Sequence, residues 1–346
     1  MSIDLYRIAE QFSSAKPLKI EPLGNGLINE TYKVTTTDAI FVLQALNQRV
    51  FKQPEQIIHN HRQLQPAFAG SDCPLQLPAL IPTSDNRFLL TAQDQSCWRA
   101  MAYIQNSHSL EFLAHPSMAA KIGRALGQFH RLSASLNPEL FFDTLPGFHI
   151  TPDYLQAFDQ VCQNQQNDSD ASDCYDFILS YRAQANVLEQ AKQQGVLVTR
   201  LIHGDPKLNN FLLDRETGDI ISLIDLDTVK PGLVHYDIGD CLRSCCHRTD
   251  EDQFDLAALR YFMPAYLTEA GDFFNSADFD FLYAAIELIP FELGLRFFTD
   301  YLAGNVYFKV THADQNLQRA RSQFRLCQSI QAQQMSIQEF LQALKP

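Results

Sequence analysis

His203, Asp205 and Asn210 stand in the order H-x-D-x-x-x-x-N, and a further carboxylate, Asp225, follows the next apolar run. These are the groups that phosphoryl transfer to an alcohol requires. A carboxylate at Asp205 can accept the proton of an incoming hydroxyl and hold its oxygen in line with a γ-phosphorus, acting largely by positioning. The amide oxygen of Asn210 suits hard Mg²⁺ without adding negative charge beside the phosphates. Asp225 stands where a carboxylate can bridge that ion to the β- and γ-phosphates. His203 reads as an organiser of the loop backbone rather than as an acid or base. Asp227, two residues from Asp225 on a strand, shares its face and so lies near the metal or the acceptor, or else caps the following turn.

The elements that must position these groups are legible in the pattern. Residues 211–214, the turn Glu216-Thr217-Gly218-Asp219 and the apolar run 220–224 predict a β-hairpin that delivers Asp225, with Asp214 and Asp219 as turn residues. Upstream, residues 18–20, 27–34 and 41–46 predict an antiparallel sheet. Gly24 and Gly26 lie at its first turn, where backbone N–H groups can approach phosphate; a plain hairpin turn explains them as well. Asn29 and Thr31 offer polar contacts beside that turn. Residues 98–104 read as a buried strand. Beyond it, apolar residues at three- and four-residue steps predict helices at 117–134, 152–163, 174–193, 236–247, 252–270, 278–303, 314–332 and 336–344. The fold class is α+β, with an antiparallel N-terminal lobe over residues 1–104 and a mainly helical C-terminal lobe over 105–346.

A chain of 346 residues with 46% apolar content can bury a large core. Its net charge of −13 argues against nucleic-acid or anionic-membrane surfaces. The lack of a long apolar run or of a basic-then-hydrophobic start leads us to expect a soluble, cytoplasmic protein. Eight irregularly spaced cysteines do not suggest a disulfide scaffold. Cys241, Cys245, Cys246 and His247 cluster on a predicted helix, but their spacing fits no common zinc pattern, and buried packing is the expectation.

The chain resembles the aminoglycoside phosphotransferase and choline kinase superfamily, whose members share the protein-kinase-like two-lobed fold. Within it the likeness leans to the N-acetylhexosamine 1-kinases. The resemblance is carried by the 203–227 block together with Gly24-Asn25-Gly26-Leu27-Ile28-Asn29-Glu30-Thr31-Tyr32, Phe41-Val42-Leu43-Gln44-Ala45-Leu46-Asn47, Trp98-Arg99-Ala100-Met101-Ala102-Tyr103-Ile104, Tyr236-Asp237-Ile238-Gly239-Asp240 and Arg296-Phe297-Phe298-Thr299-Asp300-Tyr301-Leu302. It implies ATP and Mg²⁺ as cofactors and a hinge at Ala102, Tyr103 and Ile104 beside the adenine, with Met101 lining that pocket. Met101 also fits an inner-strand core position. The resemblance further implies a structural role for Asp237 and an alcohol acceptor, here a sugar.

One departure from the family pattern stands out. Gln44 occupies the strand position where a phosphate-binding Lys is expected, and a neutral amide cannot offset phosphate charge. Either Arg49 or Lys52 reaches in, or Mg²⁺ and Lys207, two residues after Asp205, take more of the burden, and Glu55 is the available helix partner. For the acceptor, Arg296 and Asp300 are four residues apart and share a helix face, so they either contact the sugar together with Asp205 and Asp227 or form a surface ion pair. Three readings follow: a sugar kinase acting at the anomeric hydroxyl, a kinase for an aminoglycoside or amino alcohol such as choline, and an inactive nucleotide-binding module motivated by Gln44.

Overall fold

A computed structural model describes residues 4–24, 28–69, 73–163 and 169–346. After a short helix α1 (Leu5–Ala9), capped by the Asp4 carboxylate on the Tyr6 and Arg7 N–H groups, three antiparallel strands follow: β1 (Pro17–Pro22), β2 (Glu30–Thr36) and β3 (Ile40–Leu46). Helix α2 (Pro54–Phe68) starts with Pro in its first turn, where the missing N–H is not needed. Strands β4 (Leu80–Ile81) and β5 (Leu90–Thr91) both pair with β6 (Cys97–Ala102), which lies antiparallel to β3, so the order is β1-β2-β3-β6-β4 with β5 also against β6. The sheet is antiparallel as the strand pattern predicts, and its buried side packs Val34, Phe41, Leu43, Trp98 and Ala100.

From β7 (Ser107–Ser109) the chain turns helical with α3 (Ala119–Ser133), α4 (Thr151–Gln163), α5 (Ser172–Tyr181) and α6 (Val187–Gln193). The single helix expected over 174–193 is therefore broken, with Tyr181, Ala185 and Leu188 kept inside the core across the break. Next come β8 (Arg200–Ile202), the hairpin β9 (Phe211–Asp214) and β10 (Ile220–Leu223), and β11 (Lys230–Gly232), which pairs with β8. The helices α7 (Val234–Cys245), α8 (Leu256–Ala270), α9 (Ser276–Asp280), α10 (Leu282–Leu302), α11 (Gln315–Ala332) and α12 (Gln334–Ala343) complete the chain. The expected 278–303 helix begins later than predicted, after the separate α9, whose start is closed by a capping box between Asn275 and Asp278. The largest apolar core runs from Leu64 to Leu341, so the far end of α2 belongs to it while Ile57 packs with the sheet side. No described helix is long and apolar enough to cross a membrane.

Two features of this packing place the site. The hairpin forms as predicted, with the Asp214 carboxylate accepting the Glu216 and Thr217 N–H groups at 2.8 and 2.9 Å. Helix α7 docks on α10 so closely at Gly239 that a Cβ there would stand 2.6 Å from the Ala285 carbonyl oxygen, so this crossing requires glycine.

Candidate active site

Between β8 and β9 the chain runs through Gly204, Asp205 and a 3₁₀ turn at Leu208–Asn210. Helix α7 holds this loop from below. The buried Asp237 carboxylate accepts the His203 N–H at 2.6 Å and the Gly204 N–H at 2.8 Å, and two turns on the Ser244 hydroxyl accepts the Leu208 N–H at 2.8 Å. Asp237 also meets His130 Nε2 at 2.9 Å. Burial would raise its pKa, but the hydrogen bonds and charge around it hold it below the ordinary carboxylate range. Gly204 has φ of +87°, and a Cβ would come within 2.6 Å of the Thr228 carbonyl oxygen. Only glycine fits there.

His203 is fully buried. Its Nε2–H donates to the Ile224 carbonyl at 3.0 Å, while Nδ1 faces the Asp205 N–H at 3.3 Å, so the pattern calls for one proton, on Nε2. Burial lowers its pKa, which agrees with a neutral ring. The ring thus ties the loop before Asp205 to the strand end before Asp225 and does no proton transfer in this arrangement.

Asp205 and Lys207 form an ion pair at 2.5 Å, partly open to solvent. Burial would lower Lys207, but the Asp205 and Asp225 carboxylates outweigh it and raise its pKa. The Asn210 amide N–H donates to the Asp205 carbonyl at 2.7 Å, which leaves its oxygen as the free end. Asp225 sits in the left-handed region at φ +67°, a conformation Asp tolerates better than most residues but one that still costs about 1–3 kcal/mol. Burial and then the neighbouring Asp227 push its pKa up to about 6, while Lys207 pulls it down. The Asp225 side chain makes no hydrogen bond among the described residues. A carboxylate crowded by another and without a donor, beside a free amide oxygen, fits a hard divalent cation. No group of three or more His, Cys, Asp or Glu side chains that could hold a metal occurs among the described residues. A cation at Asn210 and Asp225 would therefore complete its shell with phosphate oxygens and water.

On the sheet side, the cross-strand register aligns Thr31, Gln44 and Arg99 in one row over β2, β3 and β6. Gln44 donates to Thr31 Oγ1 at 3.0 Å, and its carbonyl oxygen accepts Arg99 Nε and Nη2 at 2.9 and 2.6 Å. Arg99, 1% exposed, also forms an ion pair with the buried Asp227, which accepts the Asn29 side-chain amide at 2.7 Å. The cation beside Gln44 is therefore Arg99. Arg49 and Lys52 point to solvent, and Glu55 is exposed on α2 without contact to Gln44. Asp227 is fully engaged in this network, with its carbonyl also accepting the Thr144 hydroxyl; it does not face an acceptor with a free carboxylate. Arg99 was missed in the sequence reading; its signal was an arginine inside the buried strand Cys97-Trp98-Arg99-Ala100.

Met101 is half-buried on the same face of β6 as Arg99. The Ala102 N–H already donates to the Ala79 carbonyl at 2.8 Å, so a hinge contact from that group would displace an existing bond. Tyr103 packs its ring under Lys33 at 4.7 Å. Gly24 has φ of +72° with open space at its Cβ position, and Gly26 lies outside the described residues.

A cavity of about 520 Å³ is lined by residues 145–148 and by Asp153, Tyr154, Arg296, Asp300, Tyr307 and Phe308 among others. Arg296 lies 5.0 to 6.0 Å from the ring centres of Phe148, Tyr154, Tyr307 and Phe308 and makes no hydrogen bond to a described residue. Burial opposes its charge, but Tyr154, Tyr307, Glu292 and Asp205 raise its pKa. It does not pair with Asp300. The Asp300 carboxylate instead accepts the N–H groups of Val306, Tyr307 and Phe308 at 2.8 to 2.9 Å and the Asn316 amide at 2.9 Å. That geometry makes Asp300 the clamp of the loop that carries two of the rings. Asp153 is the cavity-wall carboxylate without a partner among the described residues. The cysteines pack as expected: Cys241 and Cys245 are buried with sulfurs 3.9 Å apart, and burial pushes the Cys241 and Cys246 thiols up.

The family model described as phosphotransferase enzyme family matches residues 19–272. Among solved structures, the chain is similar to a microcompartment-associated aminopropanol kinase, with TM-score 0.72 and 16% identity over 97% of this chain and 98% of that one. It is also similar to an aminoglycoside phosphotransferase from Alicyclobacillus acidocaldarius, with TM-score 0.68 and 14% identity over 99% and 97% of the two chains. An amicoumacin kinase in complex with AMP-PNP, Ca²⁺ and Ami gives TM-score 0.63 and 16% identity over 94% and 92%. At these identities the likeness shows a shared protein-kinase-like fold.

Proposed function

We infer the particular reaction from one premise: the chain belongs to the phosphotransferase enzyme family and is a small-molecule kinase that passes phosphate to a hydroxyl acceptor. The donor is ATP and the metal Mg²⁺, held by Asn210 and Asp225 and supplying charge neutralisation at the phosphates when bound. Residues 1–104 form the nucleotide side and 105–346 the catalytic and acceptor side, in a cytoplasmic enzyme. Asp205 receives the acceptor hydroxyl and its proton. Lys207, charged and paired to Asp205, stabilises the phosphoryl group in flight. Arg99 neutralises the buried Asp227 behind the Thr31, Gln44 and Arg99 row, with Asn29 bracing that carboxylate, so the charge that the strand Lys would have carried falls to Lys207 and the metal.

The acceptor is an N-acetylhexosamine phosphorylated at its anomeric hydroxyl, giving the sugar 1-phosphate. The observation that carries this choice over a polycation is the cavity: its inner charge is Arg296 framed by four rings, while the carboxylates of Asp227 and Asp300 are engaged elsewhere. Flat rings suit a sugar face, and an arginine with free N–H groups suits hydroxyl or carbonyl oxygens. An amino alcohol is the second reading, favoured by the unpartnered Asp153 at the cavity wall. ADP release from Mg-ATP over a panel of N-acetylhexosamines, plain hexoses, choline, aminopropanol and aminoglycosides decides between them. Turnover confined to cationic acceptors would remove the sugar. No turnover with any acceptor by a folded, nucleotide-binding protein would favour a silent binding module.

A further inference from the structure

His149 sits in the left-handed region at φ +66°, between the cavity wall and the catalytic loop, and is 3% exposed. Both of its ring nitrogens have partners. Nδ1 is 2.9 Å from a Glu292 carboxylate oxygen, and Nε2 is 2.7 Å from the Gly204 carbonyl oxygen. A backbone carbonyl has no proton to give, and neither has an ionised carboxylate. To satisfy both bonds the ring must therefore donate twice. The other Glu292 oxygen accepts the Thr151 hydroxyl at 2.8 Å, which fixes the carboxylate in turn. The ring lies against Phe148 and parallel to Tyr236, with centres 4.1 and 5.4 Å away.

The Gly204 carbonyl and the Asp205 N–H belong to one peptide unit. Its N–H edge faces His203 Nδ1, and its C=O edge is held by His149. We propose that His149 works as an imidazolium that bridges Glu292 of α10 to the Gly204 carbonyl, and so is a positioning residue that sets the peptide plane from which Asp205 reaches the acceptor. Arg296 follows Glu292 by one helical turn, and Phe148 adjoins His149, so the same bridge joins the acceptor cavity to the catalytic loop. The inference rests on reading Asp205 as the group that receives the acceptor hydroxyl.

The surrounding charges agree in sign. Facing the ring or its carboxylate partner are Glu292 and Arg296 from α10, Asp240 and Tyr236 from α7, Tyr154 from α4, and Lys230, whose ammonium donates to the Phe148 carbonyl at 3.0 Å. Burial alone would lower the His149 pKa, but Glu292 and Asp240 raise it, while His149 and Arg296 hold Glu292 low. With its folded pKa above the usual value, the bridge is intact at acid and neutral pH and is lost as pH rises through that folded pKa.

Two measurements on the full chain test this. The first is the protonation pattern of the His149 imidazole, read by proton–nitrogen correlation on nitrogen-labelled protein and assigned with His149→Gln. Two protonated ring nitrogens are expected near neutral pH, and one after Glu292→Gln. A single protonated nitrogen in the unaltered protein overturns the inference. The second is the pH profile with an acceptor that gives turnover. Glu292→Gln should move the alkaline limb of kcat to lower pH with KM for ATP unchanged, and His149→Gln should lower kcat roughly 10- to 100-fold. An alkaline limb that stays in place, or a His149→Gln enzyme with unaltered kcat, contradicts the positioning role. Retained activity in Asp205→Asn, by contrast, would overturn the catalytic reading and leave the spectroscopic result standing.

Discussion

Two arginines flank the catalytic loop, and they are held in opposite ways. Arg99 is locked by an ion pair with Asp227 and two bonds to Gln44, whereas Arg296 is surrounded by rings and bonded to no described side chain or carbonyl. The first joins the sheet to the turn after Asp225, so its charge is part of the framework. The second keeps its N–H groups available. A buried ion pair is strongly coupled to its partner, because removing one member strands the other's charge. A cation over aromatic faces leaves no such orphan when it is removed. The difference separates an arginine that builds the site from one that can meet a ligand.

Three predictions bear on this contrast. Asp205→Asn, the reference for both sides, should lower kcat about 10²- to 10⁴-fold while the melting temperature stays close to the original. Arg99→Met should destabilise the fold by about 3–5 kcal/mol in denaturant titration, since Asp227 is left buried and unpaired. Arg296→Met should instead leave stability within about 1–2 kcal/mol and raise the acceptor KM, with KM for ATP unmoved. Equal loss of stability in the two variants would dissolve the comparison.

The remaining predictions are smaller. Asp225 has a folded pKa raised to about 6, so its stabilising contribution to the unliganded protein is present below the unfolded value and is lost as pH rises through about 6. On the proposed reading, divalent cation and nucleotide bind the ionised form. Their thermal stabilisation should accordingly be greater at about pH 7.5 than at about pH 5, and Asp225→Asn should flatten that difference. At the low end, Lys121→Ala removes an exposed pair with Asp219 and should leave the denaturant midpoint unchanged.

What could be read in the sequence was local. The 203–210 spacing and the turn chemistry of Asp214 follow from neighbours within a few residues, and the hairpin formed where its pattern put it. The hub around Asp205 did not announce all its members. Arg99 meets Gln44 only through the β3–β6 register, and Asp227 lies 128 residues further along the chain. His149 and Glu292 are likewise 143 residues apart, joined by packing of α4 against α10. Arg296 and Asp300 show the limit from the other side. Helical spacing correctly put them on one helix, but the loop 306–308 claimed the Asp300 carboxylate, because three backbone N–H groups there needed an acceptor.

Phosphorus NMR of the product formed from Mg-ATP and an N-acetylhexosamine tests the sugar 1-kinase proposal. A phosphate coupled to the anomeric proton, formed by the unaltered enzyme and abolished in Asp205→Asn, is the expected product. A phosphate on any other hydroxyl, or the same product formed at the same rate by Asp205→Asn, would contradict it.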